Sequence, residues 1–373
     1  MKRAALFLAL LAALVLAVAA GAAPPAVDAE AYVVQNAGTG EVLAAGDARE
    51  RLPMASITKL MTCLVALERV SLDDVATVST RTASIGESTI NLRPGERVAV
   101  RDLVRAALVQ SANDAANAIA AYVGQGSVPR FVALMNQRAR ELGLTDTHFV
   151  NPDGLDAPGH VSSARDVTKL ARVAMRKPFI RQTVRLVDAA AAGRRLHTWN
   201  DLLTTFPNVI GVKTGHTNGA GWSEVAAARG GGVTIYATIL GGESREGRNA
   251  DLRALLAWGL SRYRTVWAID AGRTYATVRT SYGRPSVRLV AVKPALRVVH
   301  VERPLVERVV ASVEAALPVR KGQRLGEVQL LDRGQVIARS PLVAANAVER
   351  PGTVGRVRFY AGRTLDHLGG LLS

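Results

Sequence analysis

Ser56 and Lys59 stand three residues apart at the start of a segment whose apolar residues recur every three or four positions. That periodicity predicts a helix beginning near Ser56, which would place the serine hydroxyl and the lysine amine on one face, one turn apart. A serine hydroxyl is a weak nucleophile until a neighbouring base takes its proton. Lysine can be that base only if burial and nearby positive charge lower the pKa of its amine. The pair therefore predicts a serine nucleophile with a lysine as its proton acceptor.

Two further strings follow along the chain, Ser111-Ala-Asn113 between two predicted helices and Lys213-Thr-Gly215 at the end of an apolar strand. Each string alone has an ordinary structural explanation, since Ser111 ahead of Asn113 is also a good helix N-cap. Together with Ser56-x-x-Lys59, and in this order, they match the serine acyl-transfer motifs of β-lactamases and penicillin-binding proteins. The order of the three strings predicts acyl transfer more strongly than any one of them.

The sequence around the strings resembles the D-alanyl-D-alanine carboxypeptidases, the low-molecular-weight penicillin-binding proteins. The matching segments are Pro53-Met-Ala-Ser-Ile-Thr-Lys-Leu-Met-Thr62, Gln110-Ser-Ala-Asn-Asp-Ala115 and Gly211-Val-Lys-Thr-Gly-His-Thr217. The resemblance implies that Ser56, Lys59 and Ser111 are catalytic, with the Ser111 hydroxyl passing a proton to the leaving amine. The residues that it implies for substrate binding are Asn113, Lys213, Thr214, Gly215, His216 and Arg248.

In such enzymes the Asn113 amide holds the peptide group of the substrate. Thr214 and Arg248 would bind its terminal carboxylate through charge-assisted hydrogen bonds. Arg245 is a near neighbour that would take this role if the loop register differed. The backbone N–H groups of His216 and Ser56 would form the oxyanion hole.

The position of Lys213-Thr-Gly215 at the end of a predicted strand leads to further predictions. An edge strand can pair with an extended peptide through main-chain hydrogen bonds, and Gly215 would let the two backbones approach closely. Lys213 could supply the positive charge that lowers the pKa of Lys59. A general-base role for His216 is the weaker interpretation, because no matching Asp accompanies it and Lys59 is at hand.

The elements around these strings indicate an α+β fold. Helical patterns cover 100–109, 114–123, 129–142, 164–175 and 248–262, and strands cover 209–213, 223–228 and 233–240. We expect residues 29–264 to form a β-lactamase/transpeptidase-like catalytic domain, an antiparallel sheet packed with helices plus a helical subdomain. Short apolar runs broken by Gly, Pro and charges predict a small all-β domain over 268–350.

The two ends of the chain have sequence patterns unlike those of the domains between them. Residues 1–23 have the charged start, apolar run and small residues of a signal peptide, with an uncleaved anchor helix as the alternative. Either way we expect export to the periplasm or the extracytoplasmic envelope. Residues 351–373 predict a weak amphipathic helix, on which Leu365, Leu368, Leu371 and Leu372 share one face. Peripheral membrane association is possible for such a tail, but two adjacent glycines weaken the helix.

The formal net charge is +16. Basic residues are scattered, and export argues against nucleic acid, so an attraction to anionic envelope polymers or headgroups fits better. No Cys/His cluster has metal-ligand spacing, and no phosphate loop is present, so no metal or cofactor is expected. Cys63, the single cysteine, reads as a buried packing residue. The oligomeric state is left open.

The leading hypothesis is a serine carboxypeptidase that removes the terminal D-Ala from peptidoglycan pentapeptides and is inhibited by β-lactams. A D,D-endopeptidase shares the motifs and stays an alternative. A β-lactamase of the same fold is less favoured, because 114–212 contains no convincing Glu for deacylation and a second domain follows. A non-enzymatic envelope-binding role is plausible for the β-domain alone.

Overall fold

The computed structural model describes residues 9–12 and 23–369, and these form two compact units. The first unit runs to Ser261. The second begins at Arg262 and includes the short strand β1 (Ala9–Ala12). Residues 1–8 and 13–22 of the predicted signal peptide lie outside the described residues, so that prediction stays open.

The first unit is built on a five-stranded antiparallel sheet with two separate two-stranded sheets beside it. Its strands in chain order are β2 (Ala29–Asn36), β3 (Val42–Gly46), β4 (Val75–Thr77), β5 (Arg97–Ala99), β6 (Asp188–Ala191), β7 (Arg194–His197), β8 (Val209–Thr217), β9 (Gly221–Gly230) and β10 (Val233–Gly242). The large sheet has the order β3-β2-β10-β9-β8, while β4 pairs with β5 and β6 with β7. Strand β8 is therefore an edge strand of its sheet.

A 3₁₀ turn (Ala55–Thr58) leads directly into the first of nine helices that the described part of this unit contains. They are α1 (Lys59–Arg69), α2 (Thr80–Ala83), α3 (Val100–Val109), α4 (Asn113–Val123), α5 (Val128–Glu141), α6 (Ala164–Ala174), α7 (Pro178–Thr183), α8 (Leu202–Thr205) and α9 (Arg245–Ser261). Helix α1 packs against α3, α4, α5 and α6, and its first eight residues are buried. The segment that follows Ser56 is thus held at the centre of the helical part.

Helices cover both faces of the central strands. Six consecutive residues are buried in β9 and six in β10, which is the pattern of a strand with no solvent face. Helix α9 packs on both of these strands, and α6 contacts β10 and β2. The mostly apolar core of the unit fills the space between the sheet and these helices.

The second unit is almost entirely β-structure. Its elements are β11 (Tyr263–Ile269), β12 (Thr274–Thr280), β13 (Val287–Ala291), β14 (Ala295–His300), β15 (Leu305–Ala311), β16 (Glu314–Ala315), β17 (Arg324–Asp332), β18 (Gln335–Ala344) and the helix α10 (Thr353–Gly369). The main sheet has the order β1-β15-β17-β18-β13-β12-β16, and β11 pairs with β14. Its core consists of small and branched apolar side chains such as Val278, Leu289 and Val328.

These elements confirm the predicted α+β class with an all-β unit after it. The predicted start of the last helix of the first unit was wrong: α9 begins at Arg245 because the Ser244 hydroxyl accepts a hydrogen bond from Gly247 N at 3.0 Å and starts the helix earlier. In the tail, α10 is helical, but the four leucines of its predicted apolar face lie outside the residues whose side chains are described. Among the described residues, no helix is long and apolar enough to cross a membrane.

Candidate active site

Ser56 lies in the 3₁₀ turn just before α1, and two glycines are in close contact with the backbone of this turn. A Cβ atom on Gly154 would lie 2.0 Å from Ala55 O, and one on Gly215 would lie 2.9 Å from Met54 O and 3.2 Å from Ser56 N. Ala55 itself has a left-handed φ of 48°, a conformation that non-glycine residues rarely adopt. Such strained positions concentrate at functional sites because the surrounding packing holds them in place.

Lys59 is completely buried and holds three contacts through its amine. Its Nζ lies 2.6 Å from Ser56 Oγ and donates to Asn113 Oδ1 at 2.7 Å and to Asp153 O at 2.7 Å. Burial lowers the pKa of Lys59 to about 8, against a partly compensating attraction to the Asp153 carboxylate. An amine with this pKa is present in its neutral, proton-accepting form at mildly alkaline pH.

Ser111 and Lys213 form a second hydroxyl–amine pair. The Lys213 amine donates to Ser111 Oγ at 2.9 Å and to Thr214 O at 2.8 Å. Its pKa lies well below the ordinary lysine value because the group is buried and because Lys59 repels its charge. Ser111 does not cap α4: the residue before that helix is Ala112, and Ser111 has a left-handed φ of 62° that turns it out of the helical path.

Asn113 contacts the first of these pairs from its place at the first turn of α4. Its amide oxygen accepts from Lys59, and its amide nitrogen donates to Gly86 O at 3.2 Å. The side chain thus holds the Lys59 amine in place. The structure therefore brings the three sequence strings together, although 54 and 102 residues separate the bonded partners.

These groups meet at the base of a cleft. The residues that line it are Ser56, Ser88, Ser111, Trp199, Thr214, Gly215, His216, Trp222, Arg245 and Arg248. Six of the predicted site residues are in this lining, whereas Lys59, Asn113 and Lys213 lie buried behind it. The His216 ring stacks on Trp222 with ring centres 4.0 Å apart, which fixes the end of β8 beside the nucleophile.

Both candidate arginines line the cleft, but they are held differently. Arg245 makes two hydrogen bonds to the Asp201 carboxylate, at 2.8 and 2.6 Å, and its guanidinium lies 5.6 Å from the Trp199 ring centre. Arg248 is buried and donates to Asn249 Oδ1 at 2.7 Å from one terminal nitrogen. Asn249 in turn donates to Asp201, so one polar network joins the two guanidinium groups.

Sequence reasoning missed Trp199, Trp222 and Glu224. Trp199 is 47% exposed, and its indole N–H donates to Gln110 O at 3.1 Å, next to Ser111. A large exposed aromatic residue in a turn between β7 and α8 was the available signal. Glu224 gave no signal, because the sequence does not distinguish a single buried acid in a strand from an exposed one.

The turn Asn151-Pro-Asp-Gly154 contacts the Lys59 amine through the Asp153 carbonyl. Cys63 is buried on α1, and burial raises the pKa of its thiol to about 12, which suits a packing residue. In the described part of the chain, no group of His, Cys, Asp or Glu side chains could hold a metal ion.

Comparison with known proteins agrees with this arrangement over both units. The family described as D-alanyl-D-alanine carboxypeptidase matches residues 18–244, and the one described as the C-terminal domain of penicillin-binding protein 5 matches 263–350. The D-alanyl-D-alanine carboxypeptidase DacD of Salmonella typhimurium is 35% identical over 357 residues, 90% of this chain and 90% of that protein. DacF of Bacillus subtilis, a D-alanyl-D-alanine carboxypeptidase, is 31% identical over 88% of this chain and 87% of its own length.

Solved structures agree as well. Penicillin binding protein 5 from Haemophilus influenzae has a TM-score of 0.65 at 29% identity and covers 88% of this chain and 100% of its own. Penicillin binding protein 6B from Escherichia coli has a TM-score of 0.64 at 32% identity, with 87% and 98% covered. The chain thus belongs to the D-alanyl-D-alanine carboxypeptidase family of serine peptidases, the low-molecular-weight penicillin-binding proteins.

Proposed function

We propose that this carboxypeptidase removes the terminal D-Ala of peptidoglycan stem peptides through an acyl-enzyme on Ser56. The observation that carries the proposal is the pair of hydroxyl–amine contacts, Ser56 with Lys59 at 2.6 Å and Ser111 with Lys213 at 2.9 Å, at the base of one cleft. Proteins of this family act on peptidoglycan peptides and bind β-lactams. The residue roles below are specific to this chain.

In acylation, the neutral Lys59 amine takes the proton of Ser56 Oγ as that oxygen attacks the carbonyl carbon of the penultimate D-Ala. The carbonyl oxygen becomes an oxyanion, which the backbone N–H groups of Ser56 and His216 stabilise. The close approach of Gly215 to the Ser56 turn supports this pairing of donors. The lowered pKa of Lys59 supports its role as the base.

Collapse of the tetrahedral intermediate breaks the bond to the terminal D-Ala, whose nitrogen must gain a proton to leave. The Ser111 hydroxyl delivers this proton and regains one through Lys213, to which it is hydrogen-bonded. A water molecule then attacks the ester. The proton of the water passes through Ser111 to Lys213, and Lys59 returns to Ser56 Oγ the proton that it took during acylation. One peptide bond and one water are consumed, and one carboxylate and one amine are formed.

Recognition of a free chain end requires a cationic group near the reacting carbonyl. Thr214 and Arg248 both line the cleft beside Ser56 and would bind the terminal carboxylate. Strand β8, at the sheet edge, is placed to pair with the extended peptide through its backbone. We also propose that the protein is exported to the envelope, where its substrate is found, with the tail as a site of peripheral membrane contact.

The proposal is tested with Ser56→Ala. This variant should release no D-Ala from a defined pentapeptide and should not be labelled covalently by a fluorescent penicillin. Ser84→Ala, at an exposed serine whose hydroxyl donates to Arg81 O, is the matched control and should retain both activities. Labelling of the Ser56→Ala protein would contradict the assignment.

The reaction products separate the remaining alternatives. A carboxypeptidase should prefer a pentapeptide over purified crosslinked muropeptides, whereas an endopeptidase should show the opposite preference. A long-lived penicilloyl-enzyme is expected here, and turnover of the acyl-enzyme within seconds would favour a β-lactamase.

A further inference from the structure

A buried carboxylate lies beside the carboxylate-binding end of the cleft. Glu224 is on β9 opposite Thr214 of β8, so the two side chains share one face of the sheet. That face is covered by α9, and Glu224 Oε2 lies 3.2 Å from Arg248 Nε. The side chains of Glu224 and Arg248 are 0% and 2% exposed.

The ion pair with Arg248 compensates only part of the cost of burying the Glu224 carboxylate. Neither oxygen of Glu224 accepts a hydrogen bond within the part of the chain that the structure describes. The hydrogen bonds of the Arg248 guanidinium go instead to Asn249 Oδ1, at 3.2 and 2.7 Å. Such a buried acid is energetically costly unless it serves the site that surrounds it.

We infer that Glu224 determines the specificity of the carboxylate-binding end of the cleft, because its pairing with Arg248 sets how strongly the site binds the terminal carboxylate of the peptide. The inference rests on the proposed function. Glu224 offsets the positive charge of Arg248, and its own negative charge opposes an incoming carboxylate. Removing the negative charge of Glu224 should therefore increase the affinity for substrate without changing the reacting groups.

The same arrangement makes substrate affinity depend on pH. The charged groups that act on Glu224 are Arg248, Lys213, Asp201 and Arg245. Burial raises the pKa of Glu224 above its ordinary value, and the nearby cations oppose this rise. As pH falls through that raised pKa, Glu224 gains a proton, while a terminal carboxylate with a pKa of about 3.5 stays ionised.

The test is a KM–kcat comparison of wild type and Glu224→Gln on a pentapeptide ending in D-Ala-D-Ala. Gln keeps an oxygen that can accept from Arg248, so the guanidinium should stay in place. At pH 7.5 we expect KM to fall by about tenfold, because one buried negative charge near the incoming carboxylate is removed, with kcat within about twofold. At pH 5.5 the ratio of the two KM values should be smaller than at pH 7.5, because wild-type Glu224 takes up protons as the pH falls toward its raised pKa.

Glu307→Gln is the matched control, because Glu307 is a mostly buried glutamate paired with an arginine in the second unit. It should leave KM unchanged at both pH values. An unchanged or increased KM in Glu224→Gln at pH 7.5, or a KM ratio independent of pH, would overturn the inference. An inactive wild type would instead count against the proposed function.

A second measurement needs only the wild-type protein. Acetyl-D-Ala-D-Ala and its C-terminal amide are compared as competitive inhibitors of penicillin labelling. Between pH 7.5 and 5.5 the carboxylate form should gain affinity relative to the amide. Equal pH dependence of the two inhibitors would contradict a role for Glu224 even if Glu224→Gln failed to fold.

Discussion

The two units differ in where they bury charge, since the first unit clusters buried charged side chains around a cleft. The first unit buries Lys59, Lys213, Glu224 and Arg248 around one cleft, with exposed fractions of 0–2%. In the described part of the second unit, the buried polar residues are Arg262, Glu307 and Ser340, and the core is formed by apolar side chains. Burying a charge is expensive, so a fold retains such groups where their shifted pKa values serve chemistry. The comparison indicates that catalysis belongs to the first unit and that the second is built for stability or contact.

The largest effect is expected from removing the buried amine of the first unit. Lys59→Met leaves a side chain of similar length but no proton acceptor, so acylation by a fluorescent penicillin should slow by about 10³-fold. Lys321→Met, at an exposed lysine of the second unit, is the matched control and should acylate at the wild-type rate. If Lys59→Met and Lys321→Met lost acylation rate to a similar extent, the assignment of catalysis to the first unit would be wrong.

A smaller effect follows from the pKa of Lys59. The neutral amine is the active form, and burial lowers its pKa to about 8. The acylation rate should therefore rise with pH, by about tenfold per unit below 8, and level off above it. The rate is measured with a penicillin from pH 6 to 9.5 in buffers of constant ionic strength. A rate that still rises about tenfold per unit up to pH 9.5, as expected for an amine with the ordinary lysine pKa of 10.5, would contradict the buried-base mechanism.

The smallest effect on activity is expected in the core of the second unit. Leu289→Ala should lower the free energy of unfolding of that unit by about 2–5 kcal/mol, because Leu289 is completely buried. The value of kcat/KM on a soluble pentapeptide should stay within twofold of wild type. Leu64→Ala on α1 is the matching variant in the first unit. It should lower the free energy of unfolding of that unit, and the enzyme should lose activity when it is warmed. Equal losses of kcat/KM in Leu289→Ala and Leu64→Ala would contradict the assignment of catalysis to the first unit and of stability or contact to the second.

Much of the fold was predictable because its signals are local. Helix α3 has the predicted bounds, Val100–Val109, since its apolar residues recur with helical periodicity and a short strand precedes it. Strands β8, β9 and β10 were found but underestimated in length. Their ends contain Gly, Thr and Trp, residues that do not continue the apolar pattern yet pair in register across the sheet.

The candidate site was predictable in its members but not in its contacts. The order of the motifs pointed to Ser56, Lys59, Ser111 and Lys213, and the spacing of Ser56 and Lys59 predicted their contact. No local pattern shows that the Lys213 amine contacts Ser111, 102 residues away. Glu224 illustrates the limit. A single acid in a strand reads as solvent-facing, and only the packing of α9 on β9 reveals that it is buried against Arg248.

The tight contact of Gly154 and Gly215 with the turn that carries Ser56 also bears on how such an enzyme can evolve. Any side chain at either glycine would collide with the backbone of that turn, so these positions tolerate almost no substitution. Variation that alters substrate preference must then arise elsewhere in the cleft lining, where Trp199 lies exposed in a turn and Arg245 is only partly buried. We expect libraries randomised at Trp199 and Arg245 to yield active variants with new peptide preferences, and libraries at the two glycines to yield almost none.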